Sequence, residues 1–286
     1  MKVLVTGAGG QVGRELVEAF SSAGHDVAGF DHAALDVADR DAVLAAAITI
    51  HPGAIIHSAA WTAVDACEGD PDRAFRVNSL GTRHVAEAAR HVGAHLCAIS
   101  TDYVFDGSKP SPYVEWDQPN PQSVYGRSKL GAELEALSGA PGATVVRTSW
   151  VCGRYGGNMV KTVLRLASED PRRELAFVDD QRGCPTFADD LAGMITRLVV
   201  DRRPGVFHVT NQGAVSWFEF VQAVLDVAGL DPGRVRPIAT SELDPPRPAP
   251  RPPNSVLDNA ALRWSGVRLL PHFNEPLERL VRELSA

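Results

Sequence analysis

Apolar residues recur along the first half of the chain in two alternating patterns. Short apolar runs occur at 2–6, 26–30, 54–58, 95–100 and 143–148, and between them lie segments at 11–23, 39–49, 71–92 and 123–138 with apolar residues three or four apart. The runs have the length of buried strands, and the longer segments have the period of helices that cover one face of a sheet. Their alternation predicts an α/β fold, a doubly wound parallel sheet of Rossmann-like type. After Trp150 the pattern changes to a Gly-rich turn RYGGN, a helix to about Ser168, a short strand ELAFV and a helix opening within PTFADDLAGMITRLVV. Prolines then accumulate in DPPRPAPRPP at 244–253, which excludes helix and central strand and predicts an ordered loop or lid. The expected division is a dinucleotide-binding domain over 1–150 with a returning segment at about 183–210, and a smaller C-terminal substrate-binding layer from about 151–182 and 211–286. Ligands of open α/β sheets sit at the carboxyl ends of the strands, so this layer is expected to close over that edge.

The first strand leads straight into TGAGGQVG, with Gly7, Gly10 and Gly13 at three-residue spacing, and then into an amphipathic helix. In that order the first glycine permits a tight turn, the second admits a pyrophosphate to the backbone, and the third lets helix and strand pack closely. The helix start adds free N–H groups and a positive dipole end. Asp31, at the end of the second strand, stands where a carboxylate accepts hydrogen bonds from the adenosine ribose, which argues for tolerance of NAD(H). Arg14 stands where a guanidinium reaches a 2′-phosphate, which favours NADPH, and both cofactors stay open. Asp36 and Val37 are placed to flank the adenine. Ala59, Ala60 and Trp61 follow the third strand, where small residues allow close approach of the cofactor.

Composition narrows the class. A chain of 286 residues with 44% hydrophobic residues has enough apolar surface for one large domain or two smaller ones. No run approaches the roughly 18 apolar residues of a membrane span, and a strand beginning at residue 2 leaves no room for a signal peptide, so a cytoplasmic location is expected. Cys67, Cys97, Cys152 and Cys184 are too dispersed for a local metal clip and are read as reduced thiols. The net charge of −7 disfavours a nucleic-acid partner, so an anionic ligand requires locally placed arginines. Glu15 and the acidic residues of the C-terminal ERLVREL are read as solvated helix carboxylates, and no metal is predicted.

Tyr125 and Lys129 are four residues apart in SVYGRSKLGAELEALS, about one helical turn, and project from one face. An ammonium near a phenol favours the phenolate and lowers the phenol's pKa from about 10, which makes an acid able to protonate a carbonyl. A buried ring and a solvated charge is the competing account of the pair alone. Thr101 ends the fourth strand, where its hydroxyl either reaches the same carbonyl oxygen or caps the backbone.

Together these features resemble an extended short-chain dehydrogenase/reductase, and more narrowly the dTDP-4-dehydrorhamnose reductases. The resemblance is carried by TGAGGQVG at 6–13, STDYVFDG at 100–107, YGRSK at 125–129, RTSWVCG at 147–153, DQRGCPTFADDLA at 180–192 and RPPNSVLD at 251–258. It implies reduction of the C4 ketone of dTDP-4-dehydro-6-deoxy-L-mannose (dTDP-4-dehydro-β-L-rhamnose) to dTDP-L-rhamnose with NADPH, NADH remaining open. In that reading Tyr125 is the proton donor, Lys129 binds the nicotinamide ribose, and Thr101 aligns the carbonyl. Gly10, Gln11 and Val12 form the cofactor turn, Asp31, Asp36, Val37, Ala59, Ala60 and Trp61 line the adenosine and pyrophosphate side, and Asn78 supports the cofactor site. Thr101, Asp102, Tyr125 and Trp150 contact the sugar, and Arg182 and Arg251 the diphosphate. Cys152 is read as a small change in the pocket wall. A homodimer is the assembly the resemblance allows. Two other classes share the scaffold: a nucleotide-sugar epimerase or dehydratase that retains its NAD, and a non-catalytic regulatory binding module.

Overall fold

The computed structural model describes residues 1–170 and 172–285. Six parallel strands form the central sheet: β1 (Lys2–Thr6), β2 (Asp26–Phe30), β3 (Ala54–His57), β4 (His95–Thr101), β5 (Thr144–Thr148) and a returning strand at Gly205–His208, in the order returning strand-β5-β4-β3-β1-β2. β3 and β5 are buried along their whole length, which is why they read as continuous apolar runs rather than alternating ones. Successive side chains point to opposite faces. Val3, Val5 and Ile56 meet Leu16 and Phe20 of α1 (Gln11–Ser22) and Leu191, Ile195 and Leu198 of a helix at Ala188–Val200 on one face. Leu4, Ile55, Leu96 and Val145 meet Val43 of α2 (Arg40–Ile50), Val85 and Ala88 of α3 (Gly81–Val92) and Ala136 of α4 (Val124–Gly139) on the other.

The remaining elements are α5 (Met159–Glu169), β6 (Leu175–Val178), α6 (Ala188–Val200), β7 (the returning Gly205–His208), α7 (Trp217–Val227), β8 (Val235–Ile238) and α8 (Asn274–Ser285). α5, α7 and α8 pack a second core from Val160, Val163, Phe220, Val224, Leu277 and Leu280, joined by Leu175 and Val235 of the parallel pair β6 and β8. Cys152 is buried in this core.

The expected strands of the sheet agree with the structure to within a residue at either end. The segment at 71–92 is less uniform than its periodicity suggested. A short helix at Val64–Gly69 precedes it, and Phe75–Leu80 widens into a π-helical turn before α3 begins. Such a turn inserts a residue and redirects side chains, here Asn78.

Candidate active site

Sheet order reverses between β1 and β3, and the glycine turn sits at that switch point. Gly7 has φ +69°, and a Cβ on it would lie 2.6 Å from the backbone N of Ala59. A Cβ on Gly13 would lie 2.1 Å from the Gly7 carbonyl oxygen, so the turn and α1 touch backbone to backbone. Gly10 is the N-cap of α1 and supplies no side-chain acceptor, leaving the first N–H groups of a 12-residue helix for an anion. These features fit a dinucleotide pyrophosphate.

An open cavity of about 670 Å³ runs beside this turn. Gly7, Gly10, Asp31, Val37, Ala59, Ala60 and Trp61 line it, as the sequence led one to expect, together with Arg14, His32 and Arg73. The Arg73 guanidinium stacks 4.5 Å from the centre of the Trp61 ring. Asp31 accepts a hydrogen bond from the Ala34 N–H at 2.9 Å. Asp36 does not line the cavity: it turns outward and accepts from the Ala38 N–H, and its neighbours Leu35 and Val37 face the cleft instead. The Gln11 side chain is also occupied, donating to the Val151 carbonyl at 3.0 Å and accepting from Asn158 at 2.8 Å, while Val12 packs on the core. These two residues begin α1 just after the glycine turn.

The catalytic candidates meet where β4 abuts α4. Ser123 caps α4 by accepting from the Gly126 N–H, and Glu68 accepts from the Val124 N–H at 2.7 Å. A Cβ on Gly126 would lie 2.3 Å from the Tyr103 carbonyl oxygen, so only glycine lets the helix come this close. Tyr125 packs with Trp61, which lines the dinucleotide cleft, and edge-on to Tyr103, which lines a second cavity. The Thr101 hydroxyl is the side-chain partner of its hydroxyl. Burial pushes the phenol well above its ordinary pKa, the Asp102 carboxylate adds to that, and the Thr101 hydroxyl pulls it back. Lys129 donates to the Ile99 carbonyl at 2.7 Å, and burial lowers its pKa to about 8 against the opposing pull of Glu133.

The expectation that Lys129 acidifies Tyr125 is therefore corrected for the ligand-free protein. Desolvation by burial dominates, and the phenol stays protonated at neutral pH. Thr101 donates to Asp102 Oδ1 at 2.9 Å and accepts from the Tyr103 N–H. Asp102 is buried, its Oδ2 has no protein partner, and burial raises its pKa to about 6.

Asn78 is fully buried and does not face the cofactor cleft. It accepts from the Trp61 N–H at 2.7 Å, donates to the Trp61 carbonyl at 3.2 Å and donates to Ser128 Oγ at 2.9 Å. It thereby holds the cleft-lining tryptophan backbone against the catalytic helix.

The second cavity, about 260 Å³, is lined by Tyr103, Phe177, Gln181, Trp217, Arg247 and Arg251 among others. Trp150, held at φ +48°, stacks flat on Trp217 with ring centres 3.5 Å apart, so it backs this wall. Arg251 reaches the cavity as expected. Arg182 does not line it, because its guanidinium is held by Glu219 at 3.1 Å and by the Ala214 carbonyl. Glu15 is likewise buried rather than solvated, paired with Arg154 at 3.0 Å.

A family model described as the RmlD substrate binding domain matches residues 1–286. The chain belongs to this family. A dTDP-4-dehydrorhamnose reductase of Sinorhizobium fredii is 42% identical over 293 residues, covering 98% of this chain and 97% of its own. A probable dTDP-4,6-dihydroxy-2-methyloxan-3-one 4-ketoreductase of Streptomyces antibioticus is 42% identical over 275 residues, covering 95% and 90%. The crystal structure of a dTDP-4-dehydrorhamnose reductase from Bacillus anthracis, in complex with NADP, superposes with a TM-score of 0.94 at 39% identity, covering 99% of each chain. As a member of the RmlD family the protein is an oxidoreductase with a Rossmann-like fold.

Several residues of this RmlD-family site escaped sequence reasoning. Arg247 stands four residues before Arg251 in the same proline-rich run, and that repeat was its one visible signal. Tyr103 lies inside STDYVFDG but reads as a core aromatic. Trp217, Gln181, His32 and Arg73 have no local pattern and are brought in by the fold.

Proposed function

We propose that the protein reduces the C4 ketone of dTDP-4-dehydro-β-L-rhamnose to dTDP-L-rhamnose with NADPH, in the cytoplasm, as a homodimer. The observation that carries the reading is the position of Tyr125, packed at once against the wall of the dinucleotide cleft and the wall of the aromatic and arginine-lined cavity, with Thr101 beside it. Residues 1–150 with the returning segment serve the cofactor, and the C-terminal elements serve the sugar nucleotide.

The glycine turn and the α1 N-terminus would hold the NADPH pyrophosphate, and Arg14 and Arg73, in the same lining as Asp31, supply the guanidinium groups suited to a 2′-phosphate. When bound, NADPH supplies the hydride equivalent. Tyr125 holds its proton at neutral pH and gives it to the substrate oxygen as that oxygen gains negative charge; an alkoxide is more basic than a phenolate, so the transfer runs downhill. Lys129, one turn away, stabilises the phenolate that remains. Arg251 and Arg247 bind the diphosphate, because guanidinium forks match phosphate oxygens, and the Trp217 face receives an apolar ring face.

A coupled assay with the dTDP-4-keto sugar and each reduced cofactor tests the reading. Oxidation of NADPH with formation of dTDP-L-rhamnose is expected, with a higher kcat/KM than for NADH. Absence of turnover with both cofactors removes the proposal, and protein purified with stoichiometric, non-exchanging NAD would favour an epimerase or dehydratase. Sedimentation velocity checks the dimer.

A further inference from the structure

The proline-rich segment 244–253 lies along the second cavity with little backbone pairing of its own. Six of its ten residues are prolines, which have no N–H to satisfy, so it can cross the surface outside any sheet. One side chain from elsewhere in the chain fastens it. Asp65, on the short helix Val64–Gly69, accepts from the Ala249 N–H at 3.1 Å, takes both terminal nitrogens of Arg251, with Nη2 at 2.7 Å from Oδ2, and pairs with Arg247 at 3.6 Å. Arg251 Nη1 also donates to the Ala249 carbonyl at 2.7 Å, which closes a ring of polar contacts across the segment.

This end-on grip uses the two tips of the Arg251 guanidinium. Asp65 leaves the guanidinium's side edge, formed by Nε and the second Nη2 hydrogen, unused; the Tyr103 hydroxyl also meets this guanidinium, and Arg251, Arg247 and Tyr103 all line the cavity. Arg251 is mostly buried, with its side chain 16% exposed, so it needs a fixed partner to keep one orientation. We propose that Asp65 is a positioning residue that turns the side edge of Arg251, together with Arg247, toward the diphosphate of the sugar nucleotide. The inference rests on the nucleotide-sugar reading of the cavity. Asp65 has the charge the role requires: the Arg251 guanidinium holds its carboxyl down at about 2, so it stays ionised across the working pH range. The same short helix carries Glu68, which accepts from the first N–H of the catalytic helix, so the arginine pair and Tyr125 are referred to one rigid element.

The test is titration calorimetry of the full-length protein with dTDP, with thymidine and with NADPH. In the wild type dTDP is expected to bind more tightly than thymidine. Asp65→Asn should weaken dTDP by at least about tenfold while leaving thymidine and NADPH within about twofold, and should raise the KM for the keto sugar far more than it lowers kcat. Partial recovery of dTDP affinity in Asp65→Glu would support a charge-dependent grip. Unchanged dTDP binding in Asp65→Asn overturns the inference, and equal loss of dTDP and thymidine overturns it by showing general loosening of the cavity. A wild type that binds no dTDP would remove the nucleotide-sugar reading and the role of Asp65 together; a wild type that binds dTDP and turns over the keto sugar, beside an unaffected Asp65→Asn, would remove Asp65 alone.

Discussion

Tyr125→Phe deletes one oxygen from a ring that stays packed against Trp61 and Tyr103. Turnover should fall roughly 100- to 10,000-fold while NADPH affinity, read by fluorescence titration, stays near that of the wild type. Near-normal kcat in this variant would show that another group protonates the substrate. Lys129 sets a pH limit. Its folded-state pKa of about 8 lies below the ordinary lysine value, so the ammonium is lost as pH rises through about 8 and kcat/KM should decline there. Stability moves the other way. The folded protein binds fewer protons than the unfolded chain between about pH 8 and 10.5, so the burden of the buried ammonium is present below that window and relieved as pH rises through it. Thermal melts of Lys129→Met should therefore exceed those of the wild type by more at pH 7 than at pH 10. The spacing of Tyr125 and Lys129 was legible in the sequence, but their electrostatics were not, because burial depends on β4 and the cavity walls, which come from distant positions.

At the scale of elements, the glycine turn and the catalytic helix succeed as sequence readings because local sterics define them. Gly13→Ala would drive a methyl to 2.1 Å from the Gly7 carbonyl oxygen, so NADPH binding should be lost or weakened by orders of magnitude while the rest of the sheet stays folded by circular dichroism. Ser123→Ala removes the cap of α4 and should cost about 1 kcal/mol in a denaturant titration. The π-helical turn at Phe75–Leu80 left no trace in the periodicity, since one inserted residue in a long helix hardly alters the hydrophobic pattern. Its reason is tertiary, the reach of Asn78 to Trp61 and Ser128. Asp36 was misplaced for a similar cause: its position was right to within one residue, but the turn after β2 aims Leu35 and Val37 inward and the carboxylate outward.

Across the whole molecule, a buried pair joins the sheet to the catalytic helix. Arg147 of β5 donates to Glu133 through Nε at 2.9 Å and Nη2 at 2.7 Å, and Ser100 of β4 donates to the same carboxylate. Glu133→Ala strands a guanidinium in the core and should destabilise the protein by about 3–5 kcal/mol, read as a lowered denaturation midpoint. The parallel, doubly wound sheet was legible in the alternation of elements, whereas the second cavity was not, because its wall draws on positions from 103 to 251 that only the folded chain brings together. The returning strand β7 has a further consequence. It pairs with β5 after an excursion of more than fifty residues, and the α6 helix just before it shields one face of the sheet with Leu191, Ile195 and Leu198. A chain halted at residue 150 would keep every glycine of the cofactor turn yet expose β5 as a sticky edge and uncover the part of the sheet face that α6 shields over β4 and β5. The nucleotide-holding half is thus no autonomous folding unit: its completion waits for the ribosome to deliver residues near 208.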